Sequence, residues 1–89
     1  MIVQAAVRAY IPGVETYAIL PLHRHSDAGK IFKAFGFKPG ECKIIEQGFL
    51  DNKGNFYNRK SAAQYMRDHW QKTRLGDYPR EELYSEDLY

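Results

Sequence analysis

From Ile2 to Tyr10 apolar and polar positions alternate, with Val3, Ala5, Val7 and Ala9 on one side and Gln4 and Arg8 on the other. A period of two predicts a half-buried strand. Pro12-Gly13 fits a turn with Pro second and Gly third. Thr16 to Leu22 then predicts a second strand, β-branched or aromatic at Thr16, Tyr17 and Ile19 and ending near Pro21. These two strands should pair as an antiparallel hairpin. The period next changes to that of a helix. Ala28, Ile31, Phe32 and Phe35 form one apolar stripe, with Ser26 or Asp27 as cap and Gly36 as stop, and Pro39-Gly40 prolongs the break.

A short apolar run from Cys42 to Glu46, centred on Ile44 and Ile45, leads into a second hairpin. Its turn is Asp51-Asn52-Lys53-Gly54, where Gly54 can take positive φ and Asp51 and Asn52 can bond their own backbone. Asn58 stands at the N-cap of a second helix from Lys60 to Trp70. That helix is predicted to bury Ala62, Tyr65, Met66, His69 and Trp70. Arg67, Gln71 and Lys72 face outwards, and Asp68 and Lys72 form an i,i+4 pair. Leu75 to Pro79 stops the helix, and Pro79 opens a short turn through Glu81-Glu82-Leu83. The closing Leu83-Tyr84-Ser85-Glu86-Asp87-Leu88-Tyr89 carries four large apolar residues and should pack rather than hang free. The pattern predicts an α+β fold: one small domain over residues 1–89, two β-hairpins forming an antiparallel sheet, two helices packed against it and a short C-terminal tail.

Composition sharpens this picture in two ways. A chain of 89 residues removes only roughly 60% of its unfolded surface on folding, so a lone domain is marginal. Cys42 is the single cysteine and no Cys/His spacing suggests zinc, which leaves an aromatic core or self-association as the stabilising routes. Seven Tyr, five Phe and one Trp suit either, and a homo-oligomer, dimer or higher, is expected. The charge is also divided. All 13 basic residues lie within residues 1–80 against seven acids, whereas residues 81–89 add four acids and no base. A mildly basic body suits a phosphorylated ligand but is too dilute for strong duplex binding. The acidic tail has a basic surface of its own or of a neighbouring chain available for docking. The apolar start is interrupted by Arg8, so no secretory leader is expected, and no run of ~18 apolar residues occurs in the sequence. No membrane role is expected, and one cysteine fits a reducing compartment, the cytoplasm of the cell that makes the protein.

The residue chemistry favours binding over catalysis. His23-Arg24-His25 precedes a helix start, where first-turn N–H groups and a guanidinium suit an anion, although the same residues also serve as solvated loop charge. Phe49, Phe56, Tyr57, Asn58 and Arg59 combine rings for stacking, an amide for a base edge and a cation for phosphate, yet Phe49 and Phe56 equally suit the core and Asn58 a plain cap. Lys60, Arg67 and Arg74 recur every seven residues, which would set them on one helix face. Two histidines two apart lack a third ligand, so no metal or other cofactor is expected. Cys42 sits in an apolar run as a buried, inert thiol; Glu46 and Asp51 are at most hairpin neighbours, and no phosphate-loop, dinucleotide or nucleophile-elbow motif occurs. No enzymatic activity is expected.

Four features together resemble a known family: Ala5-Ala6-Val7-Arg8 in the first strand, Arg24-His25 before the first helix, the segment Glu46-Gln47-Gly48-Phe49 with Gly54-Asn55-Phe56 and Asn58-Arg59-Lys60-Ser61-Ala62-Ala63, and the closing Leu83 to Tyr89. The chain is similar in these to the Thoeris anti-defence family of small phage-encoded proteins, in its first described type. The resemblance implies a non-cleaving sponge, dimeric or larger, that sequesters cyclic ADP-ribose isomers and in some members cyclic oligonucleotides. It implies that Phe49 or Phe56 stacks on adenine, that Asn58 caps or reads an edge, and that Arg24, Arg59 and Arg74 meet the diphosphate, with His25 beside Arg24. Where that family carries a Gly-Gln pair at the end of the second helix, this chain has His69-Trp70-Gln71. The expected function is therefore sequestration of a cyclic nucleotide immune signal in a pocket shared between protomers, so that Phe49→Ala or Arg24→Ala would weaken binding without unfolding the protein. The alternative is a phage protein-binding module that inhibits a host factor through its aromatic surface and acidic tail. Weak nucleic-acid binding along Lys60, Arg67 and Arg74 is the least favoured reading.

Overall fold

The computed structural model describes residues 1–13 and 15–89. Four strands form one antiparallel sheet: β1 (Ile2–Tyr10), β2 (Ala18–Leu22), β3 (Lys43–Asp51) and β4 (Phe56–Asn58), in the order β2-β1-β3-β4. Between the hairpins lies α1 (Ala28–Ala34), entered through a 3-10 turn at His25–Asp27. After β4 comes α2 (Arg59–Asp68), and a second 3-10 turn at Ser85–Asp87 ends the chain. Both predicted hairpins and both helices are present, so the α+β architecture is as the pattern implied.

β1 is the organising strand, because it pairs with β2 on one side and β3 on the other. Its core side is built from Ala5, Val7 and Ala9, all fully buried. Three small side chains let neighbouring elements approach the sheet closely. A bulge between Ile2 and Gln4 breaks the alternation at the strand's start. Ile2 consequently enters the core, and Val3 is left exposed although it belonged to the predicted apolar side. A second irregularity leaves Ile45 unpaired between Glu46 and Ile44, and both isoleucines remain substantially exposed.

α2 lays Ala62, Ala63 and Met66 on this face, and α1 contributes Ala28, with Ile31 and Phe32 half-buried at the margin. Phe35 stands at the C-cap of α1, past the end of the expected stripe, and is exposed. Leu83 of the tail closes the core. Both helices thus pack on the core side of the sheet. On the opposite face Arg8 and Glu46, cross-strand partners, form an ion pair at 3.5 Å, and the Arg8 guanidinium sits 4.9 Å over the Phe56 ring. Gly48 makes room for that ring. A Cβ at Gly48 would come within 2.5 Å of Phe56 Cζ and run into the Tyr57 carbonyl oxygen, so the position admits only hydrogen.

The second hairpin closes as its sequence indicated. The Asp51 carboxylate accepts the N–H groups of Lys53 and Asn55, both at 2.9 Å, and Gly54 takes φ +86°. It also accepts from the Asn55 amide at 3.1 Å and the Tyr57 hydroxyl at 2.9 Å. Burial pushes the Asp51 carboxyl up, but these hydrogen bonds outweigh it and hold the group well below the usual carboxylate range. Asn58 caps α2 through Oδ1, which accepts the Ser61 N–H at 2.8 Å.

Candidate functional site

Of the seven residues selected from the sequence as ligand contacts, the three arginines hold the tail. Arg24 donates from Nη1 to the Ser85 carbonyl at 2.9 Å and from Nη2 to the Tyr89 carbonyl at 3.1 Å, with its guanidinium 5.5 Å from the centre of the Tyr89 ring. Arg74 donates from Nε to the Glu86 carbonyl at 2.5 Å, and its backbone N–H to the Asp87 carbonyl at 2.7 Å. The Arg59 carbonyl accepts the Leu83 N–H at 3.0 Å, and the Arg59 guanidinium lies 4.8 Å over the Tyr84 ring. The acidic segment therefore docks on its own chain's arginines. Arg24 and Arg74 grip its main-chain oxygens and Arg59 meets its Leu83 N–H and Tyr84 ring, none of them its side-chain carboxylates.

Phe49 is 0% exposed, and its ring meets His25 edge-on with centroids 5.1 Å apart. It is a core residue with no face open to a ligand, which corrects its expected place in a pocket wall. His25 is likewise buried, with Nε2 2.8 Å from the Gly48 carbonyl. Phe56 is half-buried on the other side of the sheet. Of the seven selected residues only Asn58 and Arg59 share a concavity. It has a volume of about 420 Å³ and is completed by Gln47, Lys60 and Glu82. Gln47 accepts a short hydrogen bond from Arg59 Nη2, whereas Arg59 Nε is buried without a partner. Lys60 belongs to the expected basic stripe, whereas Gln47 and Glu82 escaped sequence reasoning because only the tertiary path brings β3 and the returning tail beside the start of α2.

Other expectations also change. α2 ends at Asp68, so Arg74 lies beyond the helix and does not continue a face with Lys60 and Arg67. Asp68 accepts from the Gln64 amide at 2.7 Å instead of pairing with Lys72. His69 and Trp70, expected in the core, are both exposed, and His69 stacks on Tyr65 with centroids 4.0 Å apart. The predicted turn at Glu81 to Leu83 falls later, at Ser85–Asp87, where the Asp87 carboxylate accepts the Tyr84 N–H at 2.8 Å. Cys42 is only half-buried; burial and the neighbouring Glu41 push its thiol up, away from nucleophilic reactivity. Among the described residues no group of three or more His, Cys, Asp and Glu could hold a metal ion, and no helix is long and apolar enough to cross a membrane.

Burial lowers the His25 pKa, and the Arg59 charge adds to this against opposing hydrogen bonds to the Gly48 and Ala6 backbone and the Glu86 charge. The folded imidazole resists a proton that the unfolded one accepts below about pH 6.5. Stability from this group is complete above that value and declines as the pH falls through it. Thermal melts at pH 7.5 and 5.5 should show a lower midpoint in acid, and His25→Gln should flatten the difference; an unchanged slope in the variant would place the titration elsewhere.

No curated protein and no solved structure matches this sequence. A family model described as phage T4 y16D protein does, over residues 1–89. The whole-length match settles the lineage: the chain belongs to the phage T4 y16D protein family and is a phage protein.

Proposed function

We propose that this phage protein binds and sequesters a cyclic nucleotide signal, a cyclic ADP-ribose isomer or a cyclic oligonucleotide, without cleaving it. The site is the concavity between the start of α2 and the tail. The observation that carries this reading is Arg59, whose Nε is buried without a partner beside Asn58, Lys60 and Gln47. An orphaned buried donor costs about 1–3 kcal/mol, which an anionic oxygen brought against it would recover. Asn58 and Gln47 supply amides for a base edge, Lys60 a second cation, and Tyr84 a ring beside Arg59. One chain provides a single shallow wall, whereas small-molecule sites commonly enclose about 70–90% of their ligand. A second protomer supplies the other wall in this reading, which therefore requires a homo-oligomer. It works in the host cytoplasm, where the signal is made.

Calorimetry with a panel of cyclic nucleotides tests it. Saturable heat with at least one is expected, and Arg59→Ala should weaken that binding about 10-fold or more, the loss of a hydrogen bond to charge. No heat with any member of the panel removes the reading. A second reading, inhibition of a host factor by protein binding, rests on a different observation. An apolar cleft of about 650 Å³ lies beside α1, lined by Phe32, Phe37, Pro39, Cys42 and Ile44. Its signature would be a stoichiometric protein partner on purification, where the sponge would instead release a purine on heating.

A further inference from the structure

α2 closes with a hydrogen-bond pattern that ordinarily calls for glycine. The Gln71 N–H reaches back to the Met66 carbonyl at 2.8 Å and the Trp70 N–H to the Arg67 carbonyl at 3.3 Å, the two bonds of a Schellman cap. Trp70 occupies the left-handed position, with φ +57°, and among the described residues no other non-glycine has positive φ. A bulky side chain there strains the backbone.

The turn itself is required by the fold. It aims Gln71 so that its amide donates to the Ile2 carbonyl at 2.7 Å and accepts the Ile2 N–H at 2.9 Å, completing the end of β1. The indole is not required. It is 79% exposed and meets only the edge of Tyr78, with centroids 6.1 Å apart. Packing therefore gives no return for the strain, and strain of this kind gathers at functional positions.

The surroundings indicate what the indole meets. Trp70, Tyr78 and Arg67 line a notch of about 220 Å³, and the Lys72 ammonium lies 5.5 Å from the centre of the Tyr78 ring. Arg67 bonds only neutral oxygens, the Pro79 carbonyl at 3.2 Å and Gln64 Oε1 at 2.9 Å. The one ion pair among the described residues is Arg8–Glu46, so no carboxylate is in contact with Arg67, Lys72 or Arg74, although Glu81 lines a groove with Arg67. Two exposed rings beside cations that form no ion pair are what a single strand uses, with bases on the rings and phosphates on the charges. A single stacked base would bind too weakly to matter, whereas a strand adds several phosphates to it.

We propose that Trp70 and Tyr78, flanked by Arg67 and Lys72, form a stacking site for single-stranded nucleic acid. The site is distinct from the concavity at Arg59 and independent of what binds there. Trp70 is the sole tryptophan, so its emission reports the contact directly. Titration with a thymidine oligonucleotide about 20 bases long should quench it saturably, with affinity falling about 10-fold between roughly 50 and 200 mM salt. Trp70→Gly, followed with a labelled oligonucleotide, should bind about 10–100-fold more weakly yet melt about 4 °C higher, and Trp70→Phe should restore most of the binding. Absent quenching at low salt, wild-type affinity in the glycine variant, or a lowered melting temperature in that variant would each overturn the proposal. Equal quenching by polyglutamate would also overturn it, by assigning the surface to acidic protein segments.

Discussion

Phe49→Ala is expected to remove about half of the protein's stability. The ring is the largest of the fully buried side chains, in one cluster with Val7, Met66 and Leu83. Deleting it costs about 3–5 kcal/mol in lost transfer energy and residual cavity. A domain of this length has about 5–10 kcal/mol in total, and the melting temperature should drop by about 20 °C. The alanine side chains of β1, already minimal, cannot lean in to fill the space. Circular dichroism melts decide the matter, with Phe49→Leu as the milder control. A variant that melts like the parent would mean the ring is not the core residue described here. This expectation replaces the one in which Phe49→Ala spares the fold and loses only ligand.

Removing residues 81–89 should be at least as severe. The segment supplies Leu83 to the core and, with Leu88 and Tyr89, covers its margin. Its Tyr89 hydroxyl accepts the Ala5 N–H at 3.0 Å. Leu83→Ala alone should cost about 2–5 kcal/mol. The shortened chain also leaves Arg24 and Arg74 without the carbonyls they hold. Broadened or absent melting and rapid amide exchange throughout β1 are expected, while Glu81→Gln should melt within a degree or two of the parent. If the shortened chain unfolds with native cooperativity near the parent's midpoint, the tail is an ornament and the core is complete without it.

Most of the fold was legible because its signals are local. Alternation marked β1 to the residue, the Asp51–Gly54 turn carried its own chemistry, and Asn58 caps α2 as its position suggested. What stayed hidden depends on partners distant in sequence. Ile2 and Val3 exchange roles through a bulge that no alternation reveals. Gly48 is dictated by a ring on the next strand. The proposed site was the hardest part to read, because arginines and aromatics suit a phosphate and a returning peptide equally well. Only the tertiary path shows that Arg24 and Arg74 already have their oxygens. Trp70 was misplaced for a simpler reason. An apolar side chain at helical spacing reads as core, and a left-handed cap that throws it outwards leaves no apolar pattern behind.

The bond between Ala5 and Tyr89 sets a timetable as well as a contact. A strand made among the first ten residues is not fully covered until residue 89 has been added, and its pairing with β3 waits for residues 43 to 51. Contacts so distant in sequence slow folding relative to helical bundles of the same size. During synthesis the growing chain must carry Ala5, Val7 and Ala9 with an incomplete roof, and their small size limits how much sticky surface it shows meanwhile.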